Sequence, residues 1–115
     1  MRKLVLIVAL MASPALAQDG PGPNLVIEVE GEANGRVVID MLDDVAPQHV
    51  AQITGLAEEG AYDGVVFHRV IDGFMAQTGD VEFGKEGADM RLAGTGGSSY
   101  PDLPAEFSEE SFVAG

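Results

Sequence analysis

Leu25-Val26-Ile27-Glu28-Val29-Glu30 and Val37-Val38-Ile39-Asp40-Met41-Leu42 are short runs dominated by valine, isoleucine and leucine, and in the first Ile27 and Val29 alternate with Glu28 and Glu30. Both runs read as strands, because β-branched residues are enriched in strands and short apolar runs of this length fit one. Asn34-Gly35 lies between them and predicts a hairpin, since both residues tolerate positive φ. The period then lengthens: Val50, Ile53, Leu56 and Ala57 form a helical stripe. Pro47 suits the first turn of that helix and Gly60 its end. Gly55 inside the stripe weakens it by about 1 kcal/mol relative to alanine. Val65 to Val70 reads as a third strand and Phe74 to Thr78 as a fourth, with Asp72-Gly73 as the tight turn between them. Beyond Gly79 the periodicity dissolves into glycine, serine and charge up to Pro104, a long irregular loop of the kind usually tied to function or disorder. Phe107 and Phe112-Val113 predict a return to ordered structure.

The beginning of the chain follows another logic. Arg2-Lys3, the apolar Leu4 to Met11 and the small residues of Ala15-Leu16-Ala17 have the layout of a secretory signal peptide. The apolar run is far short of the roughly 20 residues a membrane span needs. Cleavage is expected between Ala17 and Gln18, so residues 1–17 form the leader, 18–23 a flexible linker and 24–115 the working domain. The expected compartment is the periplasm or the exterior. The chain has no cysteine, hence no disulfide staples.

Charge narrows the partners. The chain carries 19 acidic and 6 basic residues, a net charge of −13. Arg2 and Lys3 leave with the leader, so Arg36, Arg69, Lys85 and Arg91 alone face all the carboxylates. Such a surface repels nucleic acid and anionic lipid. His49 and His68 lack metal-ligand spacing, and Ser98, Ser99 and Ser111 lack a nucleophile elbow. Gly94-Thr95-Gly96-Gly97 is not followed by the Lys-Ser/Thr of a phosphate loop.

One segment concentrates the chemistry. Phe67-His68-Arg69-Val70-Ile71-Asp72-Gly73-Phe74-Met75-Ala76-Gln77-Thr78-Gly79-Asp80 sets a single cation in an apolar strand, then an apolar pair, then a neutral amide. A guanidinium is not a general acid; it donates hydrogen bonds or acts as a fixed charge. Taken one at a time, an ion-paired Arg69, core-filling Phe74 and Met75 and a surface Gln77 are the plainer readings.

In its order the segment resembles the signature of the cyclophilins, which are peptidyl-prolyl cis-trans isomerases. Tyr62-Asp63-Gly64 and Gly94-Thr95-Gly96-Gly97 extend the resemblance, which runs from about Asn24 to the last residue. Thr78 departs from it, standing where the family usually has glycine. The resemblance implies a mainly β fold: a cyclophilin-like antiparallel eight-stranded barrel with capping helices, of which this chain supplies the N-terminal half, about four strands and one helix. It implies that Arg69 is catalytic, that Phe74 and Met75 hold the proline ring, that Gln77 binds substrate backbone, and that His68 and Gly94 border the cleft. It implies no metal or cofactor. The implied substrates are proline-containing unfolded or flexible polypeptides. A proline-peptide-binding or chaperone module without turnover, or an inactive and marginally stable piece, are the alternative expectations.

Overall fold

A computed structural model describes the backbone of residues 4–10 and the whole of residues 22–113. These residues are mainly strand with one helix. The elements are β1 (Leu4–Leu10), β2 (Asn24–Gly31), β3 (Gly35–Asp40), α1 (Pro47–Glu58), β4 (Val65–Val66), β5 (Arg69–Ile71) and β6 (Met75–Gln77). Two antiparallel sheets result: one in the order β3-β2-β1-β4, the other the hairpin β5-β6. No barrel closes among the described residues. The apolar run read as a leader is β1, pairing with β2 from Leu4↔Gly31 to Leu10↔Leu25 and with β4 through Val5↔Val66. The expected cut between Ala17 and Gln18 lies outside the described residues. Gly22 and Pro23 are tied down, Gly22 N–H donating to Asp40 Oδ1 at 2.9 Å and Pro23 O accepting from Met41 N–H at 2.9 Å.

The β2–β3 connection differs from the expected two-residue turn. Gly35 pairs with Val29 inside the sheet, and Asn34 does not have positive φ. Gly31 does, at +133°, and the Asn34 amide grips it from both sides: Gly31 N–H donates to Oδ1 at 3.2 Å and Nδ2 donates to Gly31 O at 3.1 Å. The Asn34 side chain thus does locally what a strand partner would do, so the loop closes without a left-handed Asn-Gly pair. Glu28 and Arg36, opposite each other across β2 and β3, form an ion pair at 3.5 Å.

The helix follows its stripe. Leu56 and Ala57 are buried, and with Ile27 and Tyr62 they make the centre of the core; Leu25, Val29, Ile53, Ala61, Phe67 and Val81 pack around them. Leu25, Ile27 and Val29 alternate along β2, so one face of that strand is what α1 covers. The helix ends in a Schellman motif, with Gly60 N–H donating to Ala57 O at 3.1 Å and Ala61 N–H to Leu56 O at 2.9 Å. That closure needs the left-handed φ of +75° at Gly60. Its start is unusual. Ala46 is the N-cap and offers no side-chain acceptor.

Two expectations need correcting. The single strand foreseen over Val65 to Val70 is two short strands in different sheets, broken at Phe67-His68. Val65 is fully buried and committed to the larger sheet, whereas Arg69–Ile71 is exposed and pairs only with β6. The return to order foreseen at Phe107 and Phe112-Val113 is absent: residues 101–113 hold no helix or strand, and all three side chains are exposed.

Two substitutions test this packing. Leu56→Ala should cost about 2–5 kcal/mol, the usual range for emptying a buried leucine site. Gly55→Ala should stabilise by about 0.5–1 kcal/mol, because a Cβ there meets nothing within 4 Å. Urea unfolding of both variants beside the parent chain measures each sign.

Candidate proline-peptide site

The turn Ile71-Asp72-Gly73-Phe74 joins β5 to β6, with Phe74 N–H donating to Ile71 O at 3.0 Å. Gly73 has φ +72°, the value the third position of a type II turn demands, so the Asp72-Gly73 expectation holds. The register sets Arg69 opposite Gln77, Val70 opposite Ala76 and Ile71 opposite Met75. Residues opposite one another share a face, and positions two apart on a strand do so as well. Arg69, Gln77, Ile71 and Met75 therefore occupy one face of the hairpin. His68 N–H donates to Gln77 O at 3.1 Å, so His68 and Arg69 both oppose Gln77. Two residues against one is a β-bulge, a device that re-aims side chains and ends regular pairing. It accounts for the break in the strand just before Arg69.

Of the basic side chains at Arg36, Arg69, Lys85 and Arg91, three are engaged. Arg36 pairs with Glu28, and Arg91 pairs with Asp89 at 2.8 Å. Lys85 Nζ donates to Ala61 O at 2.6 Å and Asp63 O at 2.7 Å, clamping the Tyr62-Asp63-Gly64 turn. The Arg69 side chain is exposed and makes no ion pair or hydrogen bond to any described residue. Phe74 is 76% exposed at the tip of the turn, Met75 is half-buried and Gln77 is exposed. The hairpin thus brings Arg69, Met75 and Gln77 onto one face with Phe74 at its end. It does not bury them in a pocket formed by the described residues.

His68 and Gly94 meet. His68 is half-buried, and a Cβ at Gly94 would stand 3.0 Å from its Nε2. Gly94 has φ +94°, so glycine is required there both by backbone conformation and by the close approach of the ring. His68 Nδ1 is buried without a partner among the described residues.

What holds Gly94 in place is a residue the sequence reading passed over. Asp80 is buried at 7% exposure, and its carboxylate accepts four backbone N–H groups. Oδ1 takes Glu82 at 3.0 Å and Phe83 at 2.8 Å; Oδ2 takes Gly94 at 2.7 Å and Gly96 at 3.0 Å. Burial alone would push its carboxyl up, but the four amide donors outweigh that and hold it below the ordinary value of 3.8. Thr78 supplies a further tie, its hydroxyl donating to Val66 O at 2.9 Å and stitching the end of β6 to β4. The side chain that departs from the resemblance is therefore structurally engaged.

A second carboxylate was equally unforeseen. Glu106 accepts from the backbone N–H groups of Gln48 at 3.0 Å and His49 at 3.1 Å, and meets His49 Nδ1 at 2.6 Å. It is the cap that Ala46 cannot provide, delivered from the distal segment. Burial pushes the Glu106 carboxyl up, and the His49 ring, the two backbone donors and attraction to His49 pull it to a net value below 4.5. A helix start lacking Ser, Thr, Asp or Asn was the available signal for such a remote acceptor.

Residues 25–115 match the family model described as cyclophilin type peptidyl-prolyl cis-trans isomerase/CLD. The chain belongs to that family. It is 63% identical over 84 residues to a Brucella suis protein named as a probable peptidyl-prolyl cis-trans isomerase, a match covering 71% of this chain and 43% of the relative. A peptidyl-prolyl cis-trans isomerase of Synechococcus elongatus is 37% identical over 90 residues, covering 78% of this chain and 53% of the relative. The chain thus spans about half the length, or less, of these relatives. No solved structure matches.

The lowered carboxyls have a pH consequence. A group whose folded-state pKa is depressed stabilises the fold above its unfolded value, and that stability is lost as pH falls through the folded value. Glu106 should therefore contribute fully above 4.5 and progressively less below it. Urea unfolding midpoints measured from about pH 6 to about pH 3 should fall for the parent chain and fall less steeply for Glu106→Ala. Equal slopes would remove Glu106 from the acid response.

Proposed function

We propose that this chain carries the catalytic hairpin of a peptidyl-prolyl cis-trans isomerase that acts on X-Pro bonds of exported proteins after its own leader is removed. The observation that carries the reading is the uncommitted Arg69, in register with Gln77 and on the face that also holds Met75.

The chemistry required is small but specific. Rotation about an amide C–N bond is opposed by about 18–20 kcal/mol of conjugation. At X-Pro the two planar isomers differ by only about 0.5–1 kcal/mol, yet they interconvert slowly. An accelerating site must favour the twisted state over both planar ones. As the amide twists, the prolyl nitrogen recovers its lone pair and becomes an acceptor. A guanidinium that is not spent on a carboxylate can donate to that lone pair, and the donation strengthens only when conjugation is lost. Met75 and Phe74 offer apolar surface to the proline ring, and Gln77 offers an amide to the substrate backbone. His68 and Gly94 border the same hairpin. The scheme calls on no nucleophile, metal or cofactor.

A second reading, capture of proline peptides without acceleration, draws support from Phe74. Its exposed ring gives a proline a surface to lie on but no enclosing wall, and water left in the site weakens every donor.

Protease-coupled isomerisation of a proline tetrapeptide separates the two readings. Arg69→Ala should lower kcat/KM by about 10²–10³-fold, the cost of removing one transition-state donor. Stability should stay within about 0.5 kcal/mol, because the side chain is exposed and unpaired in the described structure. Arg69→Lys should remain impaired, since an ammonium lacks the planar fork. Peptide binding with no acceleration by the parent chain would instead establish the second reading.

A further inference from the structure

We infer that Asp80 is a positioning residue for peptide binding: its carboxylate fastens the Gly94–Gly97 segment beside His68 and so builds a wall of the peptide site. The inference rests on the proline-peptide reading of the hairpin. It goes beyond it by assigning a role to a group that touches neither Arg69 nor the face it occupies.

The geometry is that of an anion cradle filled from within. Successive backbone N–H groups that converge on one point form a concave positive site. Here the convergence comes from two separate stretches, Glu82-Phe83 and Gly94/Gly96, and the anion is the protein's own carboxylate. A buried carboxylate with four charge-assisted bonds is rigid, because each oxygen is shared between two fixed donors. The two stretches, more than ten residues apart in sequence, are therefore locked together.

The lock is tight on both sides. A Cβ at Gly96 would stand 2.6 Å from Asp80 Oδ1 and 2.8 Å from Phe83 Cδ2, so the backbone of the segment lies directly against the carboxylate. Gly97 N–H adds a bond to Glu82 Oε2 at 3.1 Å. Gly94, held at 2.7 Å by Oδ2, then rests on His68, the residue that opens the bulge leading to Arg69. The sequence from Asp80 to the site is continuous: carboxylate, Gly94 amide, His68 ring, Arg69 backbone. Without the carboxylate, the Gly94 and Gly96 amides point at an empty acceptor position, and the Gly97–Glu82 bond is left as the side-chain tie that holds the segment.

Asp80→Asn keeps size and one acceptor oxygen but turns an amide NH₂ toward two backbone donors. Gly96→Ala keeps the carboxylate and pushes the segment away from it. The readouts are amide chemical shifts and hydrogen-exchange protection of Gly94 and Gly96 in the full chain, together with the Kd for a proline tetrapeptide from NMR titration and the isomerisation rate. Both variants should lose protection at Gly94 and Gly96 by at least about tenfold and weaken peptide binding by about tenfold, while Arg69→Ala leaves protection unchanged. Circular dichroism melting identifies whether each variant is folded; if Asp80→Asn is not, Gly96→Ala, which removes no group, carries the decision. Unchanged protection, or peptide affinity within twofold of the parent, in a folded variant overturns the inference. A parent chain that binds the peptide without accelerating it overturns the isomerase reading alone, and a parent chain that binds no peptide overturns both.

Discussion

A carboxylate in a dry place must find donors, and that constraint shapes the glycine-rich half of this chain. Asp80 is nearly inaccessible, and leaving it charged there without partners would be costly. Its solution is to gather backbone amides from both sides. Backbone turns bond much of the irregular stretch between Gly79 and Gly97, and the Asp80 carboxylate adds four amide bonds that join its two ends without any helix or strand. Glycine at 94 and 96 lets the main chain come close enough, so composition that resembles disorder encodes contact.

The hairpin works by the opposite economy. Where Asp80 is saturated, Arg69 is unspent, although carboxylates are abundant in this chain. A bulge at His68-Arg69 and a left-handed Gly73 shape the hairpin that presents Arg69, whose side chain pairs with no described carboxylate. A donor already paired would gain little as an amide twists. One held open and in register with Gln77 has its full strength available.

Much of this was legible in the sequence, for reasons that differ residue by residue. Leu25, Ile27, Val29, Ile53, Leu56 and Ala57 announced their faces because burial imposes periodicity. Gly60 and Gly73 announced turns because only glycine enters the left-handed region freely. The ordered motif from Phe67 to Asp80 announced the hairpin and the family. Long-range polar bonds left less of a trace: the uncapped start at Ala46 called for some acceptor, but neither Glu106 as that acceptor nor Asp80 reaching Gly94 follows from local pattern, since each depends on where distant backbone comes to rest. Asn34-Gly35 misled for a related reason, because a side-chain amide did the work expected of the backbone. Phe107 and Phe112 misled because apolar character alone does not say whether a side chain is buried, and both are exposed.

The position of β1 carries a kinetic corollary. Its seven residues lie between β2 and β4, so they are the only described link joining those two strands within one sheet. A segment zipped along its whole length to a neighbour is hidden from anything that must grip it as an extended, free end. On the proposed reading, use of Leu4–Leu10 as an export address would compete with its place in the sheet, threading against zippering. Should threading win and the address be clipped, β2 and β4 part company, and whatever next lies along those bare edges determines the final architecture.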